Sequence, residues 1–171
     1  LVHAGASGVG TAAIQICRAI GARVIVTCST SKMAACRHLG ADLIIDYTQT
    51  DFVDAVKEFT DGRGADVIYD PVGGDLAEAA FRSIAWRGRY LVIGFAQGAI
   101  PALPLNLALL KGASVQGVFW GEFRRREAQL HNANMKQLAL WISQGALKPL
   151  VSATYPLARG ADALDDLLAR K

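Results

Sequence analysis

The residues best suited to chemistry open the chain. His3-Ala4-Gly5-Ala6-Ser7-Gly8-Val9-Gly10 lies between an apolar run and a helical pattern. Gly5 and Gly10 hold the first and third places of a G-x-G-x-x-G spacing. Ser7 holds the second, with Gly8 directly after it. Such a turn brings backbone close to a pyrophosphate, and the helix start offers free N–H groups and the positive end of a dipole. Ser7 adds a hydroxyl and slightly more bulk. A purely structural tight turn has the same look, and methyltransferases share it, so the motif alone leaves the nucleotide open.

The next constellation is Thr27-Cys28-Ser29-Thr30-Ser31-Lys32, at the end of the following apolar run. A fold that binds NAD usually places Asp or Glu there, about 20 residues after the glycines, on the ribose 2′-hydroxyl. No acid is present. A carboxylate would repel a 2′-phosphate, whereas a hydroxyl and an ammonium attract one. The residues therefore favour NADPH over NADH and disfavour a methyltransferase, which also expects an acid there. Ser29 suits a helix N-cap equally well. Lys32 also reads as a solvated first-turn residue, although a cation at a helix start is mildly unfavourable without a bound anion.

Other chemistry is sparse. His3, His38 and His131 are scattered, and none is assigned to catalysis. Cys17, Cys28 and Cys36 are spaced as neither a disulfide framework nor a zinc site, so no metal is expected. None of the four tyrosines has Lys four places on, which argues against a Tyr-x-x-x-Lys catalytic pair. Arg124, Arg125 and Arg126 read as a solvated face.

The elements that would position these residues alternate. Strands are expected at Leu1 to Ala4, Arg23 to Cys28, Leu43 to Asp46, Ala65 to Asp70, Arg89 to Gly94 and Ser114 to Phe119, with Val151 to Tyr155 also strand-like. Helical spacing follows the phosphate turn (Val9, Ala12, Ala13, Ile16, Cys17, Ile20), with Cys17 on the buried face. It recurs over Ser31 to Leu39, Asp51 to Thr60, Leu76 to Ile84, Asn106 to Lys111 and Ala161 to Ala169. A long helix is expected over Glu122 to Gln144, with Leu130, Met135, Leu138 and Ile142 inward. This alternation predicts an α/β Rossmann-type fold: a doubly wound, parallel, six-stranded sheet with helices on both faces.

Composition bounds the rest. The 171 residues are 52% hydrophobic and 19% charged, which excludes disorder and predicts a single domain. A net charge of +3 without a basic run argues against nucleic acid. No apolar run approaches the roughly 20 residues of a spanning helix. Reduced, buried thiols fit a cytoplasmic protein. The opening at Leu1, within a strand pattern, and the stop at Lys171 read as a piece of a longer protein.

AGASGVGTAAIQICRAIGARVIVT, SK, LGADLIIDY, GRGADVIYDPVGG, GRYLVIGFAQG, LPLNLALLKGASVQGVFWG and YPLARGADAL, in that order and spacing, resemble the zinc-free quinone oxidoreductases of the medium-chain dehydrogenase/reductase superfamily. The resemblance runs over the whole chain and implies the cofactor-binding domain alone; the N-terminal substrate domain lies outside it. It implies a phosphate loop at Ser7, Gly8 and Val9, and 2′-phosphate contacts at Ser29, Lys32 and Tyr47. Tyr47 also reads as a half-buried packing aromatic. The Asp70-Pro71-Val72-Gly73-Gly74 turn would sit at the crevice mouth, also readable as a plain tight turn. Gly94, Phe95 and Ala96 would line the nicotinamide side. Phe119 and Trp120 would end the last strand near it, or serve packing.

The implied activity is hydride transfer from NADPH to a quinone or conjugated carbonyl, with no catalytic acid or base inside this chain and little turnover by the chain alone. A homodimer through Ser114 to Phe119 is implied as well, because that apolar edge would otherwise stay open. The alternatives are a zinc-dependent alcohol dehydrogenase cofactor domain and a non-catalytic NADPH-binding module.

Overall fold

The computed structural model describes residues 1–169. Five strands form: β1 (Ile25–Cys28), β2 (Leu43–Asp46), β3 (Ala65–Asp70), β4 (Ile84–Val92) and β5 (Ser114–Gly117). Eight helices connect and follow them among the described residues: α1 (Gly8–Ala19), α2 (Met33–His38), α3 (Phe52–Phe59), α4 (Leu76–Arg82), α5 (Leu105–Lys111), α6 (Trp120–Arg126), α7 (Ala128–Ser143) and α8 (Gly160–Leu168). Single 3-10 turns occupy Thr30–Lys32 and Leu157–Arg159.

Every strand pairing is parallel. β1 lies beside β2 with Cys28 opposite Asp46, and β4 lies between β3 and β5. The expected six-stranded sheet is corrected here. There is a two-stranded and a three-stranded sheet, joined by an isolated bridge residue, Val2, which pairs with Val26 on one side and Tyr69 on the other. Val2 N–H donates to the Ile25 carbonyl at 2.8 Å, and His3 N–H to that of Tyr69 at 3.1 Å. The ladder stops there because Ala4 turns into the left-handed region at φ 51°. In space the order runs β2-β1-Val2-β3-β4-β5, so it reverses at the Val2 segment. A reversal of that kind opens a crevice at the carboxyl ends of the strands.

Alternation along the strands fills both faces. Val24, Val26 and Cys28 pack with Val2, Ile14 and Cys36 beneath α1 and α2. Ile25, Ile45, Ile68 and Tyr90 pack with Phe52, Val56, Phe81 and Leu107 beneath α3, α4 and α5. Cys28 and Cys36 are buried as free thiols, whereas Cys17 is only half-buried.

The closing third departs from expectation. The helix foreseen over Glu122 to Gln144 breaks at Glu127, whose φ −120° and ψ 47° lie outside the helical region, into α6 and α7. No residue of α7 is buried: Leu130, Met135 and Ile142 stand about half exposed, and Leu138 is partly covered. Val151 to Tyr155 is not a strand. Instead the Tyr155 hydroxyl donates to Asp166 Oδ2 at 2.6 Å, tying that segment to α8. Beyond β5, Leu147 is the one buried side chain among the described residues. Beside it Lys148 N–H donates to Gln15 Oε1 at 2.7 Å, which fastens the segment to α1.

Candidate functional site at the carboxyl ends of the strands

The phosphate turn is shaped from within. Gly10 permits α1 to start directly against the turn. A Cβ there would stand 2.2 Å from the Ala4 carbonyl oxygen, backbone that cannot move aside. Gly5 lies against β1, where a Cβ would come within 2.8 Å of Val26 Cβ. Ser7 caps α1, its Oγ accepting from Gly10 N–H at 3.1 Å, while its own N–H donates to the Ala4 carbonyl at 2.9 Å. That leaves Gly8 and Val9 N–H without a partner inside the helix, at its positive end. Open space surrounds Gly8, and Val9 is exposed. Two amides facing an open crevice can bind a diphosphate oxygen.

The tips of β1 and β2 adjoin this turn. Ser29 precedes the 3-10 turn but makes no capping bond, so its hydroxyl stays available and the capping role is not realised. Lys32 is partly buried and joins none of the ion pairs among the described residues. Across from Cys28 stands a carboxylate not weighed in the sequence, Asp46. It is buried and occupied: the Thr30 hydroxyl donates to it, as do Thr48 N–H at 3.0 Å and Thr48 Oγ1 at 2.6 Å. These bonds hold its carboxyl below the usual range, and they pull the Thr30–Lys32 turn against β2. Tyr47 follows, 43% exposed, with one side of its ring covered. With Thr48 to Phe52, Leu76 and Ala79 it lines a shallow cavity of about 410 Å³.

The tips of β3 and β4 make the other side. Asp70 is buried, and its Oδ1 accepts from Val72 N–H at 2.8 Å and Gly73 N–H at 3.0 Å, which closes the turn. Its Oδ2 accepts from the Tyr90 hydroxyl. Burial, then this contact with Asp70, push the Tyr90 phenol well above its ordinary range. The loops after the two strands continue the parallel ladder: Ile93 N–H reaches the Asp70 carbonyl, Ala96 that of Pro71, and Gln97 that of Val72, each at 3.0 Å. Gly73 (φ 65°) lets the Phe95 ring lie against the turn, where a Cβ would stand 2.9 Å from it. Gly94, Phe95 and Ala96 are thereby fixed to the Val72 turn. Behind Phe95 is an apolar cavity of about 260 Å³.

Phe119 and Trp120 are strongly exposed, which rules out core packing. Trp120 starts α6, with the Arg124 guanidinium 5.2 Å over its ring and His131 edge-on. Arg125 and Arg126 both bond Glu122, as a solvated face would. His3 lies beneath the site. It is buried edge-on to Phe52, with Nδ1 2.9 Å from Thr27 Oγ1 and Nε2 unpartnered. Burial lowers its pKa to about 4. Among the described residues no group of three or more His, Cys, Asp or Glu could hold a metal ion, and no helix is long and apolar enough to cross a membrane.

The structure thus gathers Gly5, Ser7, Gly8 and Val9 into one turn and sets Ser29, Lys32 and Tyr47 at the adjoining tips. It ties the Pro71–Val72 turn to the loop that carries Gly94, Phe95 and Ala96, through the Ala96–Pro71 and Gln97–Val72 backbone bonds. Sequence reasoning missed Asp46 and Tyr90. An Asp before Pro at a strand end signals a side-chain turn such as that of Asp70, but its pairing with Tyr90, 20 residues away, had no local signal.

Residues 8–136 match the family model described as zinc-binding dehydrogenase. The chain is 36% identical to the quinone oxidoreductase-like protein 2 homolog of Nematostella vectensis, covering 100% of this chain and 47% of that protein. It is 33% identical to the 2-haloacrylate reductase of a Burkholderia species, covering 95% of this chain and 50% of that enzyme. A crystal structure of Escherichia coli quinone oxidoreductase complexed with NADPH superposes with a TM-score of 0.86 at 30% identity, over 99% of this chain and 53% of that one. The chain therefore spans about half the length of the relatives it matches.

Proposed function

Because the chain belongs to the zinc-binding dehydrogenase family, on its quinone oxidoreductase-like side, we propose that it is the NADPH-binding domain of an oxidoreductase that reduces a quinone or a conjugated carbonyl without zinc. The observation that carries the proposal is the pairing of free Gly8 and Val9 amides with a β1 tip whose Ser29 and Lys32 are uncommitted. The residues fit the cofactor's chemistry. Gly8 and Val9 would hold the diphosphate, with Ser7 shaping the turn and Gly5 admitting it. Ser29, Lys32 and Tyr47 would hold the 2′-phosphate, with the Lys32 ammonium offsetting the nearby Asp46 carboxylate, which its three neutral donors keep ionised. Gly94, Phe95 and Ala96 would flank the nicotinamide against the Val72 turn, with Phe119 and Trp120 closing over it.

The bound NADPH supplies the hydride. This chain's residues bind, orient and exclude water. We assign no catalytic acid or base among them: His3 is buried beneath the sheet ends, and His131 packs against Trp120 and Phe123. The whole protein is the active form, and this chain alone binds cofactor with little turnover. All four residues of β5 are exposed, and the strand is paired on one side only, which supports a second subunit along it. Sedimentation that finds only monomer at high concentration would count against that dimer. Buried reduced Cys28 and Cys36 support a cytoplasmic setting.

The test is calorimetry with both cofactors. A charge-assisted bond contributes roughly 1.5–3 kcal/mol, so Lys32→Ala should weaken NADPH about 10- to 100-fold and leave NADH nearly unchanged. Equal losses for both would remove Lys32 from that role. No binding of either by the unaltered protein would overturn the assignment.

A further inference from the structure

We propose that the buried Asp70–Tyr90 pair positions the nicotinamide half of the site, and only that half. This rests on the reading above. Asp70 and Tyr90 are each about 2% exposed and form part of the inner wall of the cavity behind Phe95, so they support this half of the site from beneath. Asp70 uses both oxygens inward. One gathers Val72 and Gly73 N–H, and the other takes the Tyr90 hydroxyl from the neighbouring strand. The carboxylate is thereby the clasp between β3's turn and β4. Past it the two loops are held by the Ala96–Pro71 and Gln97–Val72 backbone bonds, both 3.0 Å, and by Gly74 N–H to the Ala99 carbonyl at 3.2 Å. Phe95 rests on Gly73, whose conformation the clasp fixes. If the Asp70 oxygens lose a donor, the turn shifts and carries Gly94 to Ala96 with it.

The adenosine end has its own anchors. Ser7 caps α1, and Asp46 holds Thr30 and Thr48. Among the described residues no hydrogen bond joins Asp70 or Tyr90 to Ser29, Lys32 or Tyr47. The pair is therefore a positioning device for one half of a bipartite ligand, and the two halves can be probed separately.

Tyr90→Phe keeps the ring, which lies 5.7 Å from that of Phe81, and removes only the hydroxyl. In the whole protein kcat for NADPH oxidation should fall about tenfold, the scale of one lost hydrogen bond to a charged group. Binding of 2′,5′-ADP, which carries only the adenosine end, should stay within about twofold. Asp70→Asn keeps an oxygen for the two turn amides and offers an amide N–H to the phenol oxygen, so it should lose less than Asp70→Ala. Parallel loss of 2′,5′-ADP binding and kcat, or no change in kcat, overturns the proposal. So does an Asp70→Asn loss equal to that of Asp70→Ala. A failure of the functional reading itself looks different: the unaltered protein would bind neither NADPH nor 2′,5′-ADP.

Discussion

The two ends of the crevice are built on different principles. At the tips of β1 and β2, side chains are left with nothing to do: Ser29 caps no helix and Lys32 has no counter-charge among the described residues. At the tips of β3 and β4, polar groups are consumed internally, by the Asp70 clasp and the loop-to-loop backbone bonds. Free side chains select by charge, and they do so at one anionic group. A backbone wall selects by shape, and it suits a flat, weakly charged ring. The difference explains why specificity residues can be read at one end while the other end is read mainly as glycines.

Substitutions can break or sharpen this contrast. Gly10→Ala should have the largest effect, because its Cβ would lie 2.2 Å from fixed backbone. Overpacking of that kind costs about 3 kcal/mol or more; a lowered Tm with loss of both cofactors would be seen by thermal denaturation and calorimetry. Acid should act on the seam between the ends. His3 titrates near 4 folded and near 6.5 unfolded. Between those values the unfolded chain binds more protons, so stability falls as pH drops from about 6.5 to 4, by up to about 3 kcal/mol. Urea titrations across that window would show the slope, and His3→Gln should flatten it. Gly73→Ala forces a side chain into φ 65° and against Phe95, costing about 1–2 kcal/mol. It should slow NADPH oxidation and spare 2′,5′-ADP binding, which separates the ends most cleanly. Gly8→Ala should be nearly silent in Tm, within about 0.5 kcal/mol, since nothing lies within 4 Å of its Cβ position.

Much of this was legible in the sequence. Local spacing sufficed for the phosphate turn and for the acid-free β1 tip, because both are runs of adjacent residues. The β-branched strands gave the parallel order, since a strand covered on both faces must be apolar throughout. Four features were not legible. Asp46 is sated by Thr30, 16 residues earlier, a partnership made by strand register. The Asp70–Tyr90 clasp arises in the same way. Periodicity marked Leu130, Met135 and Ile142 as an inner stripe, but periodicity says only that a face is apolar, not that a neighbour covers it, and here they are half exposed. The strand expected at Val151 to Tyr155 failed because β propensity without a partner edge makes no ladder.

Ala4 carries a left-handed backbone, φ 51°, just where the phosphate turn begins. An L-residue holds that shape at a cost of about 1–2 kcal/mol, and here Gly5 N–H to the Thr27 carbonyl at 3.0 Å and Ser7 N–H to Ala4 itself keep it there. The kink is settled during folding rather than on encounter. An incoming dinucleotide therefore meets a mould already cast, spends none of its affinity on ordering the loop, and should leave the vacant and filled turns superimposable.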